Sequence, residues 1–471
     1  MKLNLSTESL ARGAALRPWA TIGVWLAILV AAVMLSATLL GDALTTEEAV
    51  TSNPESEQAS NLLEERLGGS EDTMDEMVIV RSTTLTVDDP DYQNHVEELF
   101  ADLTALGDEV VLGGAHYYLT GDESLVSADR STTIIPVVMP EGVGGEEVDL
   151  INGVVNRAGA DGSFEVLIMG EATLMAEIME MAEKDLRTGE SIGISVALIV
   201  LTLVFGAIAA ALLPMALAIA AIAVALGATA LVGQVYDLVF FVTNIITMMG
   251  LAVGIDYSLF IVSRYREERE RGLDKLDAIT TTGATASRAI LFSGMTVVLA
   301  LAGMLILPVS TFRAIGIGAI LVVIVAVLAS LTLLPAILSL LGDRVNAWRI
   351  PLIQRRKTGR QVGAGGGFWD WMARGVMRRP VISLVLAGGL LVAVATPYFD
   401  INLGSAGISS LPDGLKSKDA FIVLQDKFGF GQDMPAQVVI DGQTDAPDLQ
   451  AAIERLQASV ASDPAFILSG L

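Results

Sequence analysis

Apolar residues gather in this chain into runs long enough to cross a bilayer, and two strongly polar stretches separate them. The first run, Trp19–Leu40, follows Lys2, Arg12 and Arg17. Its 22 residues exceed a signal-peptide core and predict an uncleaved first span. The uncharged stretch Ser191–Tyr236, at about 1.5 Å per residue, is roughly twice a bilayer core of about 30 Å. It predicts two helices joined by a tight turn near Ala209–Pro214. Further spans are predicted over Leu238–Ser263, Ala289–Leu307, Ala314–Leu341 and Pro380–Thr396.

The first polar stretch changes period. Glu76–Arg81, Val110–Leu112, Thr132–Met139 and Phe164–Met169 read as short strands, with helices over Tyr92–Leu106 and Glu146–Arg157. This β-α-β-β-α-β order predicts a ferredoxin-like α+β domain with both helices on one face of a largely antiparallel sheet. Glu171–Arg187 then predicts a helix leading directly into the second span. The resulting organisation is a first span (1–40), an α+β domain (41–187), a five-span bundle (188–342), a basic linker (343–379), a seventh span (380–397), and the start of a second outer domain (398–471).

Charge orients this arrangement. Residues 41–190 hold 34 Asp+Glu against 6 Lys+Arg, whereas 343–379 hold nine basic residues and two acidic ones, and 264–288 hold six basic residues. Basic loops stay in the cytoplasm, so the N-terminus and both basic segments are predicted inside, with 41–187 outside. A domain this acidic points to high external salt, where charge keeps a surface soluble and ions screen its self-repulsion. It also argues against nucleic acid as a partner. The Gly363-Ala364-Gly365-Gly366-Gly367 run reads as a flexible linker.

Composition excludes several chemistries. With no cysteine there is no disulfide or thiolate site, and with only His95 and His116 there is no multi-histidine metal site. Both histidines read as surface or satisfied residues. Gly-Lys never occurs, so the chain carries no Walker-type nucleotide site. No cofactor, metal or enzymatic centre is expected.

Five ordered matches point to an internal repeat: Arg17-Pro18 with Arg379-Pro380, Arg66-Leu67-Gly68 with Lys427-Phe428-Gly429, Val78-Ile79 with Val439-Ile440, the helix after Pro90 with that after Pro447, and Val111-Leu112 with Ile467-Leu468. The offset drifts slowly from 362 to 356. Parallel repeats of a span, an outer domain and five spans place a transport path at the repeat interface. The second copy stops early, so the chain as given is expected not to transport on its own.

The fourth span carries the chemistry. At about 100° per residue, Thr243, Thr247, Gly250, Gly254 and Ser258 share one stripe that admits a close neighbouring helix. Asp256 lies on another side, with Tyr257 between, and is the one acid well inside a span. An intramembrane carboxylate is by default a functional residue. Arg264, Arg266, Arg269 and Arg271 read as anchors of the cytoplasmic end.

Gly254-Ile255-Asp256-Tyr257-Ser258-Leu259-Phe260-Ile261-Val262-Ser263-Arg264-Tyr265-Arg266-Glu267-Glu268 closely resembles the signature of the mycobacterial membrane protein large (MMPL) family, within the resistance-nodulation-division (RND) superfamily. The resemblance continues in Phe292-Ser293-Gly294-Met295-Thr296-Val297 and Leu334-Pro335-Ala336. It implies an RND-type parallel repeat in a multi-pass plasma-membrane protein, with proton-driven export of lipids or other hydrophobic molecules. Asp256 and Tyr257 match the first Asp-Tyr pair of the family's proton relay, with Thr247, Gly250, Gly254 and Ser258 packing beside it. The second pair would fall near position 617, beyond residue 471. The implied partners are membrane lipids, a hydrophobic substrate and protons. Two alternatives remain open from the sequence: a lipid sensor of the sterol-sensing type and an accessory protein of secretion.

Overall fold

The computed structural model describes residues 6–41, 43–45, 50, 52–67, 73–140, 143–160, 162–236, 238–348, 368–401, 411–429, 438–440 and 446–461. The Gly363–Gly367 linker, residues 349–367 of the basic loop and the Ile467-Leu468 repeat match lie outside them. In chain order the helices are α1 Thr7–Leu16, α2 Pro18–Leu39, α3 Glu55–Leu67, α4 Pro90–Thr104, α5 Tyr117–Thr120, α6 Gly145–Ala158, α7 Glu171–Phe205, α8 Ile208–Val232 and α9 Phe241–Glu270. They continue with α10 Lys275–Ala284, α11 Ala286–Ala302, α12 Ser310–Leu328, α13 Leu334–Leu341, α14 Phe368–Arg378, α15 Pro380–Ala395, α16 Lys416–Phe428 and α17 Pro447–Ala461. The strands are β1 Leu44–Thr45, β2 Thr73–Arg81, β3 Gly113–Gly114, β4 Thr132–Pro140, β5 Glu165–Gly170 and β6 Leu238–Val239.

These elements form two units, Met1–Ser52 with Lys184–Leu403, and Asn53–Glu183 with Gly404–Leu471. Among the described residues, seven helices are long and apolar enough to cross a membrane: Pro18–Leu39, Glu171–Phe205, Ile208–Val232, Phe241–Glu270, Lys275–Ile306, Ser310–Asn346 and Pro380–Phe399. The chain is thus a mostly helical polytopic membrane protein.

In the first unit, α8, α9 and α12 make the largest single contributions to a continuous core, including Leu217, Val242, Ile246, Ile261, Val322 and Val323. The turn between α7 and α8 falls at Gly206–Ala207, earlier than the predicted Ala209–Pro214. Gly206 adopts φ +65°, which a residue without Cβ enters at little cost. Pro214 instead sits inside α8. Two helices escape the hydropathy reading. The α1 helix buries Thr7, Ala11, Ala14 and Ala15, and α10 buries Ala278, Ile279, Thr282 and Gly283. Such small-residue faces carry little hydropathy signal. A π-helical turn, Ala329–Leu333, separates α12 from α13. Pro335 lacks the N–H that Leu331 would have accepted, and the wider turn accommodates that loss. The Trp25 indole N–H donates to Thr332 Oγ1 at 3.0 Å, tying α2 to this turn.

In the second unit the sheet has order β3-β4-β2-β5, every pairing antiparallel. Alternation along β2 sends Val78 and Val80 into a core with Val96 and Leu99 of α4 and Ile151 and Val154 of α6. Ile79, on the opposite face, packs against Ala420, Val423 and Leu424 of α16. Three polar contacts fix that helix: Lys427 with Asp129, Lys416 Nζ donating to Asn156 Oδ1 at 2.8 Å, and Ser417 N–H donating to Glu177 Oε2 at 3.1 Å. The predicted strand Val110–Leu112 is displaced to Gly113–Gly114, because Val110 and Val111 turn into the core. His116 is buried among Phe100 and Tyr118 rather than at the surface, and burial lowers its pKa.

Glu76, wholly buried on β2, reaches the start of α7. Its carboxylate accepts the Thr173 N–H at 3.1 Å and the Thr173 hydroxyl, and so caps a helix whose first N–H groups have no intrahelical acceptor. Burial raises its pKa above the ordinary 4.5, outweighing the opposing hydrogen bonds from Thr173. A carboxyl raised on folding contributes stability below 4.5 that is lost as pH rises through its folded value. Glu76→Gln cannot ionise. It is expected to melt above the parent at mildly alkaline pH, with the gap closing as pH approaches 4.5, in thermal unfolding across a pH series.

Candidate functional site

The site is built on α9, whose 30 residues run without a break through the Gly-Ile-Asp-Tyr-Ser motif. Gly250, Gly254 and Ser258 are buried. A Cβ placed on Gly254 would stand 2.8 Å from Ala218 Cα of α8, so the two backbones approach too closely for any side chain there. A Cβ on Gly250 would meet Ile222 Cγ1 of α8 and Val322 of α12. The Ser258 hydroxyl donates to the Gly254 carbonyl, four residues back. Thr247, half-buried, donates from Oγ1 to the Thr243 carbonyl at 3.0 Å. These hydroxyls satisfy themselves on their own helix and leave the small-residue face free to pack.

Tyr257 leaves that face toward α11. Its hydroxyl lies 3.6 Å from where a Cβ on Gly294 would be, so the phenol lies over the glycine of the Phe-Ser-Gly segment. The ring is half-buried and packs against the bundle core.

Asp256 points the other way. It is exposed on the surface of its unit, with Met248, Ala252 and Phe260 exposed on the same side of α9. It stands near the middle of the helix, roughly 22 Å from either end at about 1.5 Å per residue. The apolar part of α9 ends at Ser263, so Asp256 lies roughly 10 Å inside the charged end of the helix, on an outward face that is otherwise apolar. Facing lipid, a carboxylate at the centre of a span costs about 2.5–3.5 kcal/mol on insertion scales, and less toward the end of the span. The face is suited to another polar protein surface or a hydrated path, and a carboxylate there can take up and release a proton as water reaches it. The structure thus brings Gly250, Gly254 and Ser258 together at the α8–α9–α12 junction, sets Tyr257 against α11, and separates Asp256 from both.

The end of α9 holds a second set of charges that the sequence pattern presents only as anchors. Glu268 is buried and clamped by Arg264 at 2.6 Å and Arg271 at 2.8 Å. Arg269 pairs with Asp343 at 2.6 Å. Arg266 donates to the Phe205 carbonyl at 3.0 Å and lies over that ring. The spacing Arg264, Glu268, Arg271 places opposite charges three and four residues apart on one helix, the signal by which Glu268 could have been found. These bonds fix one end of α9 to the end of α7 and to the segment after α13.

Comparison with known proteins adds an independent line. Residues 49–383 match the MMPL family. The mycolic acid-containing lipids exporter MmpL11 of Mycolicibacterium smegmatis is 33% identical over 300 residues, covering 63% of this chain and 31% of that protein. The heme uptake protein MmpL11 of Mycobacterium tuberculosis is 31% identical over 308 residues, covering 65% and 32%. The trehalose monomycolate exporter MmpL3 of Mycobacterium tuberculosis is 26% identical over 413 residues, covering 81% and 43%. The chain spans about a third of the length of the MmpL11 proteins it matches.

Proposed function

This chain belongs to the MMPL family, and from that we propose that it forms the first repeat of a transporter moving lipids or other hydrophobic molecules out across the plasma membrane, driven by the proton gradient. The observation that carries this reading is Asp256 inside the membrane-spanning part of α9, on an otherwise apolar, outward-turned face. In the proposed cycle Asp256 carries the coupling proton. Tyr257, its neighbour in the motif, lies against α11 and away from Asp256 in this structure, so in the proposed cycle its hydroxyl meets the carboxylate only in a state where α9 has moved, where it donates to the carboxylate or accepts from the acid. Gly250, Gly254 and Ser258 hold α9 against α8 and α12, so that protonation shifts a rigid group of helices. Thr247 completes that stripe. The second unit is read as a ferredoxin-like domain outside the membrane, joined through α7 to the bundle. Substrates as different as a mycolic acid-containing lipid and heme appear in the relatives' names. Their shared property is a large apolar body, and the substrate class is proposed at that level.

Reconstituted into liposomes, the transporter as the host makes it is expected to redistribute a fluorescent lipid across the bilayer when a proton gradient is imposed, and to stop when a protonophore collapses it. Redistribution indifferent to the gradient would remove the proton from the account.

The orientation is tested separately. The chain has no cysteine, so single cysteines report without background. Ser82 is buried, but Thr83 beside it is exposed, as is Glu270 at the end of α9. An impermeant maleimide is expected to label Thr83→Cys in intact cells and Glu270→Cys only after permeabilisation. The opposite pattern would invert the topology.

A further inference from the structure

Two hydrogen bonds in series stitch the π-helical turn Ala329–Leu333 to a neighbouring span. The Trp25 indole N–H donates to Thr332 Oγ1 at 3.0 Å, and the Thr332 hydroxyl donates in turn to the Leu328 carbonyl at 2.6 Å. Leu328 is the last residue of α12, so an indole on α2 holds the end of α12 through one hydroxyl. Pro335 offers no N–H to this stretch, which leaves the backbone ladder weaker here than on either side. The indole ring packs beside Ala221 of α8 and Val325 and Ala326 of α12. The α2 helix meets α8 again at Ala32, where a Cβ on Gly227 would stand 2.5 Å from Ala32 Cα. Joined this closely, α2 and α8 make a firm wall, and the π-turn beside it is the compliant point.

The α12 helix in turn lies along α9. A Cβ on Gly318 would meet Val242 and Ile246, one on Gly250 would meet Val322, and one on Gly294 of α11 would meet Val327 beside the Tyr257 hydroxyl. In so close a packing, a shift of α9 that brings Tyr257 to Asp256 displaces α12 as well. The π-turn lets α12 swing, and the Trp25–Thr332 bond opposes the swing. Trp25 follows Pro18 by seven residues and Asp256 precedes Ser263 by seven, so both stand roughly 10 Å inside the charged ends of their spans.

Few other charges bear on α9 here. The helices α2, α8 and α13 carry no ionisable side chain. In α12 Arg313 lies at the far end, bonded to the Leu307 carbonyl at 3.0 Å, and in α11 Arg288 lies over the Phe292 ring. Lys275 and Asp277 of α10 sit in its first turn, beyond the charged end of α9. Within the spans, a change of charge next to this packing falls to Asp256.

We propose that the Trp25–Thr332 bond is a latch. It holds α12 and α9 in the arrangement seen here, with Tyr257 against α11, and it opens when Asp256 takes up its proton. Trp25 and Thr332 are positioning residues that act on Asp256 only through α12 and α9. The latch rests on the reading of Asp256 as the proton carrier. One hydrogen bond tips a two-state balance by about two- to tenfold. Coupling is reciprocal, so helices freed of the latch take up the proton at higher pH.

Two measurements test this on the transporter as the host makes it, in liposomes. The emission of Trp25 is read as the difference between the parent and Trp25→Phe. Acidification is expected to shift it to the blue in the parent, as the indole loses its acceptor, and to leave it unmoved in Asp256→Asn. The pH of half-maximal gradient-driven lipid redistribution is then compared among variants. It is expected to rise by about 0.3 to 1 unit in Trp25→Phe and in Thr332→Val, and no further when the two are combined. Thr332→Ser keeps the hydroxyl and is expected to restore the parental profile. A bond serving structure alone would change the melting temperature and leave the pH profile in place. Trp25 emission that ignores pH, or that shifts equally in Asp256→Asn, overturns the latch whatever transport does. So does an unmoved or lowered pH profile in folded Thr332→Val. An emission shift that needs Asp256, beside lipid movement indifferent to the gradient, would keep the latch and remove the proton-driven reading of function.

Discussion

Asp256→Asn is expected to abolish gradient-driven transport while leaving the protein folded and inserted. Asparagine has nearly the same shape and still forms hydrogen bonds, but it cannot take up or release a proton. Each coupled charge draws about 2.3 kcal/mol from every 100 mV of membrane potential. That is roughly a fifty-fold concentration ratio at about 1.4 kcal/mol per factor of ten, and all of it is forfeited. Stability should not fall, because an acid on an apolar face has been replaced by a neutral group, and a small rise is consistent with relief of charge desolvation. Tyr257→Phe removes one hydrogen-bonding partner and leaves the carrier, so a partial loss of transport is expected. Lipid redistribution in proteoliposomes, with insertion and melting temperature measured on the same preparations, separates these outcomes.

Gly254→Ala is expected to act in the opposite way, lowering stability first. Its new Cβ would stand 2.8 Å from Ala218 Cα, a backbone atom that cannot turn aside. The helices must separate, and overpacking of this kind costs about 1–3 kcal/mol. Gly250→Ala meets Ile222 Cγ1, part of a side chain that can change rotamer, so its cost should be smaller. Gly254→Leu should prevent the α8–α9 contact altogether. Thermal unfolding in detergent is expected to rank the parent highest, then Gly250→Ala, Gly254→Ala and Gly254→Leu. Adding Ala218→Gly should recover part of the loss in Gly254→Ala. A Gly254→Ala variant as stable as the parent would mean that the α8–α9 approach is not what Gly254 serves.

The sequence was most legible where period and length are strong signals. The helix predicted over Glu146–Arg157 forms at Gly145–Ala158, and the strand over Thr132–Met139 forms at Thr132–Pro140. Legibility failed where the signal is local or weak. Gly206 ends α7, whereas the pattern gives weight to Pro214, which a helix can hold when neighbouring helices enclose it. Pattern does not report α1 and α10, because alanine, glycine and threonine build their buried faces. Nor does a repeat reveal which copy of a domain its helices pack on, and α16 lies on the sheet of residues 73–170.

Within the site, the motif identified the residues but not their directions. A span that is apolar on every side has no polar stripe to show which way it faces. That Gly254 faces α8, Tyr257 faces α11 and Asp256 faces outward required neighbours in three dimensions. The Glu268 clamp is hidden from the sequence for a related reason: a charged pair near a helix end looks like a solvated face until burial is known.

The central claim is that substrate movement and proton movement are one process running through Asp256. Coupling of this kind runs in both directions, which gives the most direct measurement. Liposomes containing the transporter and an entrapped pH indicator are loaded with substrate on one side and given no proton gradient. Downhill substrate flow is expected to drive a pH change inside the parent liposomes and none in those carrying Asp256→Asn. Substrate flow in the parent without a pH change, or an equal pH change in the Asn variant, would contradict the account.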